Sequence, residues 1–340
     1  MRSQSEDMLK QSKVIYKNVI NRIAVALIVN AVLLVALSNV TAIFEYLFTQ
    51  VFASGSDITD AIFRIIDCVV YFASFTLPIL VFSYMQKQGE SEIYTPRPKP
   101  VNRFSGLECA AAIGLSLGVI LFSSYVNYFV VNSFSSYSDF TSETFWAVEL
   151  DKPYQIVIYA INIAVVPAVC EELLFRGTIC KALMPYGRGT AIVISALLFS
   201  LMHTNIEQTI YTFVAGVLLA WIYVKTDSII YPMLLHFINN ATSVLSTVAY
   251  EKLSEESAII VSYTVEEIIF ALSVLSALYL VLKHKKARKE AVEEATTDED
   301  EKVLPLGAGE KVGGFFSVGM IIYIAYCVLK MAYYLYISYQ

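Results

Sequence analysis

YQIVIYAINIAVVPAVCEELLFRG, residues 154–177, is apolar for long enough to cross a bilayer, yet it ends in Glu171, Glu172 and Arg176. A spanning helix needs about 20 mostly apolar residues. An ionisable side chain near the bilayer centre costs at least about 2.5 kcal/mol, so such groups tend to mark functional sites. Two later apolar segments repeat the anomaly. LLFSLMHTN (197–205) carries His203, and YPMLLHFINN (231–240) carries His236 and Asn240. The chain has three histidines, and two of them lie in this set. The stretch therefore indicates both a membrane bundle and a polar centre inside it.

The composition agrees. The chain is 57% hydrophobic and 16% charged, with a mean hydropathy of +0.60. Soluble domains average about 25% charged residues, so an all-α, polytopic transmembrane helical bundle is expected. Nine stretches qualify as spans: 18–40, 60–85, 106–132, 154–176, 190–206, 208–225, 228–248, 257–282 and 314–337. Lys and Arg gather at the N-terminus, in 86–105, at Lys181 and Arg188, at Lys225 and in 283–289, whereas the alternate loops are acidic. By the positive-inside rule this alternation places the N-terminus in the cytoplasm, so a multi-pass plasma-membrane protein is expected. No cleavable signal peptide is evident, because the first 17 residues are too charged for an n-region. The five cysteines, Cys68, Cys109, Cys170, Cys180 and Cys327, lie in or beside apolar spans without zinc-type spacing and read as packing residues. No nucleic-acid partner is expected.

Three parts follow from this pattern. Residues 1–282 form a core of eight helices containing the motif region 154–248. Residues 283–312, KHKKARK followed by EAVEEATTDEDE, are expected to form a disordered cytoplasmic linker. Residues 313–340 form an appended last helix. The link 91–103, with three prolines in five positions, is expected to be extended.

On a helix, residues four apart stack on one face, and Glu before Arg is the favourable order. Glu172 and Arg176 stand in that relation. Glu171 points about 100° away, from the 3.6-residue period, and is left without a cation of its own. Divergent environments for two adjacent carboxylates are how a site obtains a general base. Pro167 frees a backbone carbonyl four residues upstream and should kink the helix. Phe199 and His203 share a face, as do His236 and Asn240, with Asn239 beside them. Each feature alone also has an ordinary explanation: an ion pair locking helices, a packed histidine, an amide bonding between helices. Their coincidence in neighbouring segments favours a site. Taken from the span centres at 1.5 Å per residue, Glu171 and His236 lie a few ångströms to the cytoplasmic side and His203 about 7 Å to the other. The site is expected to open to the cytoplasmic half.

EExxxR at 171–176, FxxxH at 199–203 and HxxxN at 236–240 resemble the three signatures of the CAAX protease and bacteriocin-processing (CPBP, or Abi) family, which includes the eukaryotic CAAX endopeptidases. Phe175, Gly177 and the helix bearing Gly216 also look like that family. The resemblance implies an intramembrane endopeptidase acting on a peptide or membrane-protein substrate within the lipid bilayer. It makes Glu171 the activator of water, with His203 holding the same water. It also makes His236 and Asn240 the oxyanion donors, and Glu172 and Arg176 structural or orienting. No cofactor is favoured. A divalent metal such as zinc, with Glu171, His203 and His236 as candidate ligands, stays open. A non-catalytic scaffold or bacteriocin self-immunity protein of the same fold is the main alternative. A proton-relay transporter is a weaker one, since the chain shows no matching halves.

Overall fold

The computed structural model describes residues 2–51, 57–89, 104–135, 150–293 and 306–338. Among them every regular element is helical: α1 (Arg2–Val51), α2 (Asp57–Gly89), α3 (Gly106–Ser135), α4 (Pro153–Tyr186), α5 (Arg188–Met202), α6 (Thr209–Thr226), α7 (Ile230–Lys252), α8 (Glu255–Glu293), α9 (Ala308–Phe315) and α10 (Val318–Ser338). The chain is an all-α polytopic bundle. Its outer face is apolar, with Phe122, Phe129, Phe270 and Leu275 pointing outward, as lipid-facing helices require. The proline-bearing link 91–103 lies outside the described residues, as do 136–149 and the acidic run from residue 294.

Helices stand at all nine expected positions, but among the described residues seven are long and apolar enough to cross a membrane. The other two are α5, with 15 residues, and α7, whose 23 residues include His236, Asn239, Asn240, Thr242, Ser243, Ser246 and Thr247. They are the helices of the FxxxH and HxxxN motifs, whereas the glutamate pair lies on α4, one of the seven. A helix loaded with hydrogen-bonding side chains is held at membrane depth by its neighbours rather than by its own hydropathy.

Proline accounts for one of the joints between helices. Pro78 lies inside α2 and has no N–H to offer the Ser74 carbonyl four residues back. The buried Asn30 of α1 donates its amide to that carbonyl at 2.9 Å, so the defect in one helix becomes a bond between two. On the other side of the bundle, α3 packs against α8 through Gly118. A Cβ there would collide with the Ser273 side chain, which is the small-residue contact that lets membrane helices approach closely.

Two expectations about the C-terminal part change. Helix α8 continues through the basic stretch to Glu293, and residues 308–315 are helical as well. Ala, Lys, Arg and Glu are strong helix formers, and neither Pro nor Gly interrupts 283–293. The last helix is also more than an appendage: α10 buries Met320, Tyr323 and Cys327, and its Gly319 lies against Ala24 of α1. The Lys13 ammonium, 2.9 Å from Glu310, and the Gly307 N–H hold that carboxyl below its ordinary range. This partly exposed clamp therefore weakens as pH falls, and its contribution is small.

Candidate active site

Helix α4 carries the glutamate pair on a short α-helical piece, Val166–Glu172, between two wider π-helical stretches, Ile161–Val165 and Leu173–Cys180. Such widenings recur at functional sites. The first has a visible cause. Pro167 cannot donate to the Ile163 carbonyl, and Asn240 of α7 donates to it at 3.0 Å. In the second, the buried Ser195 hydroxyl of α5 donates to the Phe175 carbonyl at 3.0 Å. Helices α5 and α7 thus grip α4 on either side of the glutamates.

Glu172 and Arg176 are both fully buried, 0% exposed, and pair at 2.8 Å across one turn. The guanidinium also donates from Nη2 to the Gly216 carbonyl of α6 at 3.2 Å, and its Cζ lies 4.5 Å from the centre of the Phe199 ring. Gly216 is required there, because a Cβ would press on the Ala196 backbone at 3.0 Å. His236 donates from Nδ1 to the same Glu172 oxygen at 2.9 Å. A carboxylate can only accept, so the Nδ1 proton is fixed and Nε2 is the ring's working face. Glu172 therefore has two donors on one oxygen, and its Oε2 is buried without a hydrogen-bond partner.

Glu171 is buried in a different setting. Its Oε1 accepts from the Tyr71 hydroxyl of α2. Its Oε2 has no hydrogen-bond partner and lies 4.0 Å from His236 Nε2. Arg176 does not pair with it. The adjacent carboxylates thus differ in their partners, Arg176 and His236 Nδ1 for one and the Tyr71 hydroxyl for the other.

The other motif residues are arranged less simply. His203 is not inside a span: α5 ends at Met202, His203 caps it, and the following Thr204 is left-handed, with φ of 48°. Its Nδ1 donates to the Phe199 carbonyl at 2.8 Å, which leaves Nε2 as an acceptor. Its ring packs on Phe199 at 4.8 Å, and the His236 ring lies 5.9 Å from Phe199 on another side. Phe199 is thus the hub that positions both imidazoles and the guanidinium, but His203 makes no hydrogen bond with either glutamate. Asn240 commits one amide hydrogen to Ile163, and its Oδ1 accepts from Asn239, whose Nδ2 also reaches the Tyr211 hydroxyl at 3.1 Å. One amide hydrogen of Asn240 is left.

Among the described residues no three His, Cys, Asp or Glu side chains converge on a point that could hold a metal ion. Glu171 and His236 approach each other, whereas His203 joins them only through the Phe199 ring. The three candidate ligands do not fit a zinc set, and no step below is routed through a metal. Tyr71 was not legible as a site residue. It comes from a helix with no motif, and the chain has 23 tyrosines.

The family model for Rce1-like type II CAAX prenyl endopeptidases matches residues 153–242. No curated protein and no solved structure matches the chain. The matched segment begins with α4 and ends just beyond Asn240. It contains Glu171, Glu172, Arg176, His203, His236 and Asn240, and it bears out the resemblance read from their motifs. Tyr71 lies outside it. The match supports a membrane-embedded protease of the CAAX type in general.

Proposed function

We propose that the chain is an intramembrane endopeptidase in which Glu171 activates the hydrolytic water. The observation that carries this reading is the contrast between two buried neighbours. Each keeps one oxygen without a hydrogen-bond partner, but Glu172 is held by the Arg176 cation and His236 Nδ1 on its other oxygen, while Glu171 has no cation paired to it, only the Tyr71 hydroxyl, and turns its free oxygen towards His236 Nε2 at 4.0 Å. In the proposed step Glu171 Oε2 takes a proton from water as the hydroxide oxygen attacks the peptide carbonyl carbon. His203 Nε2 accepts from the same water's other hydrogen. His236, through Nε2, and the remaining Asn240 hydrogen are the proposed donors to the developing oxyanion. Such donors supply several kcal/mol in a site shielded from water. The tetrahedral intermediate collapses as the C–N bond breaks and Glu171 returns its proton to the leaving amine.

The substrate class suggested by the matched family is a peptide ending in a prenylated CAAX sequence. The test is hydrolysis of prenylated and unmodified CAAX peptides by the purified protein, with and without chelator. Cleavage that survives chelation is expected. Loss on chelation with recovery on added zinc would overturn the glutamate–water scheme, and no cleavage of any peptide would favour the scaffold reading.

Tyr71 is proposed as a positioning residue for the base. Hydrogen bonds to charged groups contribute about 1.5–3 kcal/mol, so Tyr71→Phe should lower kcat by about 10- to 100-fold. KM and the unfolding temperature should stay near those of the parent protein. A fall in stability with unchanged kcat would make the hydroxyl merely structural.

We also propose a plasma-membrane location with the N-terminus in the cytoplasm, on the strength of the loop charges. Of single cysteines at Ser91 and Ser138, an impermeant thiol reagent applied to intact cells should label the second alone. Labelling at Ser91 would reverse the orientation.

A further inference from the structure

A cavity of about 800 Å³ lies between α3, α6, α7 and α8, and among the groups already described it is lined by Tyr211 and Asn239. One wall is apolar, with Leu117 of α3 and Ile269 of α8. The other is a stripe of hydroxyls on α7, Ser243, Ser246 and Thr247, with Ser262 of α8 next to them, and the far rim holds the exposed Glu251. The hydroxyls satisfy one another only in part: Ser262 and Ser246 are 3.4 Å apart, and Thr247 donates back to the Ser243 carbonyl. Leaving such groups dry at membrane depth is unfavourable, and cavities that hold water are the polar, roomy ones. At about 30 Å³ per molecule the space suits on the order of two dozen waters.

The inner end of the cavity is formed by Tyr211 and Asn239, which are hydrogen-bonded to each other. Asn239 also bonds Asn240, one turn along α7 from His236, whose Nε2 lies 4.0 Å from Glu171 Oε2. That Glu171 oxygen is buried without a hydrogen-bond partner. A hydrolase whose base is enclosed among helices needs a polar route for its co-substrate. The cavity extends towards the bundle end that carries Glu251, which is opposite the end of the basic loops. The expected cytoplasmic opening does not coincide with it.

We propose that this cavity holds the water on which Glu171 draws, with Tyr211 and Asn239 as the polar neck between them. The inference rests on the hydrolase reading and adds the source of its second substrate. Its test does not use turnover. Ser246→Cys protein is treated with a small hydrophilic methanethiosulfonate. Treated and untreated samples, with wild type alongside, then react with a water-soluble carbodiimide and glycine amide. Mass spectrometry compares modification at Glu171 with that at Glu310, a partly exposed carboxylate in a different part of the fold. We expect the introduced thiol to react and its adduct to reduce modification of Glu171 several-fold, with Glu310 unchanged. Ser243→Cys provides a second position should the first variant fold poorly. The proposal is overturned if both introduced thiols are unreactive in folded protein, if Glu171 is unmodified even before blocking, or if blocking leaves its modification unchanged. If the labelling behaves as expected but no peptide is cleaved, the hydrolase reading falls and the aqueous cavity stands.

Discussion

Glu171→Gln is expected to reduce peptide hydrolysis by at least about 10²–10⁴, the range for losing a positioned general base, while the folded population stays nearly constant. The substitution keeps the volume and the acceptor on which the Tyr71 hydroxyl rests. What disappears is the second oxygen, which is buried without a hydrogen-bond partner and faces His236 Nε2 at 4.0 Å. An amide nitrogen in its place cannot accept a proton from water. Single-turnover hydrolysis and thermal unfolding of the variant, measured side by side, separate the two effects. Hydrolysis at the parent rate would remove Glu171 from the mechanism.

Glu172→Gln should behave in the opposite sense. Its carboxylate receives both Arg176 Nη1 and His236 Nδ1. Without that charge the guanidinium is left with the Gly216 carbonyl and the Phe199 face at 0% exposure. Breaking a buried pair by removing one partner typically costs about 3–5 kcal/mol. Unfolding of the purified protein in mild detergent should show a loss of that order. Activity should also fall, because a neutral amide oxygen holds the His236 Nδ1–H less firmly than a carboxylate does. If the two variants are equally stable, the division of labour within the glutamate pair is wrong.

The geometry gives Asn240 a role that the motif did not suggest. Pro167, four residues beyond Ile163, leaves that carbonyl without its helical donor, and Asn240 replaces it. The same arrangement occurs where Asn30 answers the carbonyl freed by Pro78. Pairing a proline in one helix with an asparagine in the next places two helices in register without exposing a backbone group to lipid.

The sequence by itself determined the helical membrane bundle, because apolar runs of about 20 residues admit little else. It also determined the Glu172–Arg176 pair and the isolation of Glu171 from it, because both follow from the phase of one helix. Those are local properties with a fixed period. Only the tertiary structure decided what meets Glu171. Tyr71 arrives from α2, outside the family-matched segment, and His236 turns its Nε2 towards Glu171 because its Nδ1 is held by Glu172. The end of α5 at Met202 puts His203 in a turn rather than a span, and the Phe199 ring sets its distance from the glutamates. Contacts between helices depend on crossing geometry and on which side chains are small enough to permit it, as Gly216 does against Ala196. No periodicity within a single helix encodes that.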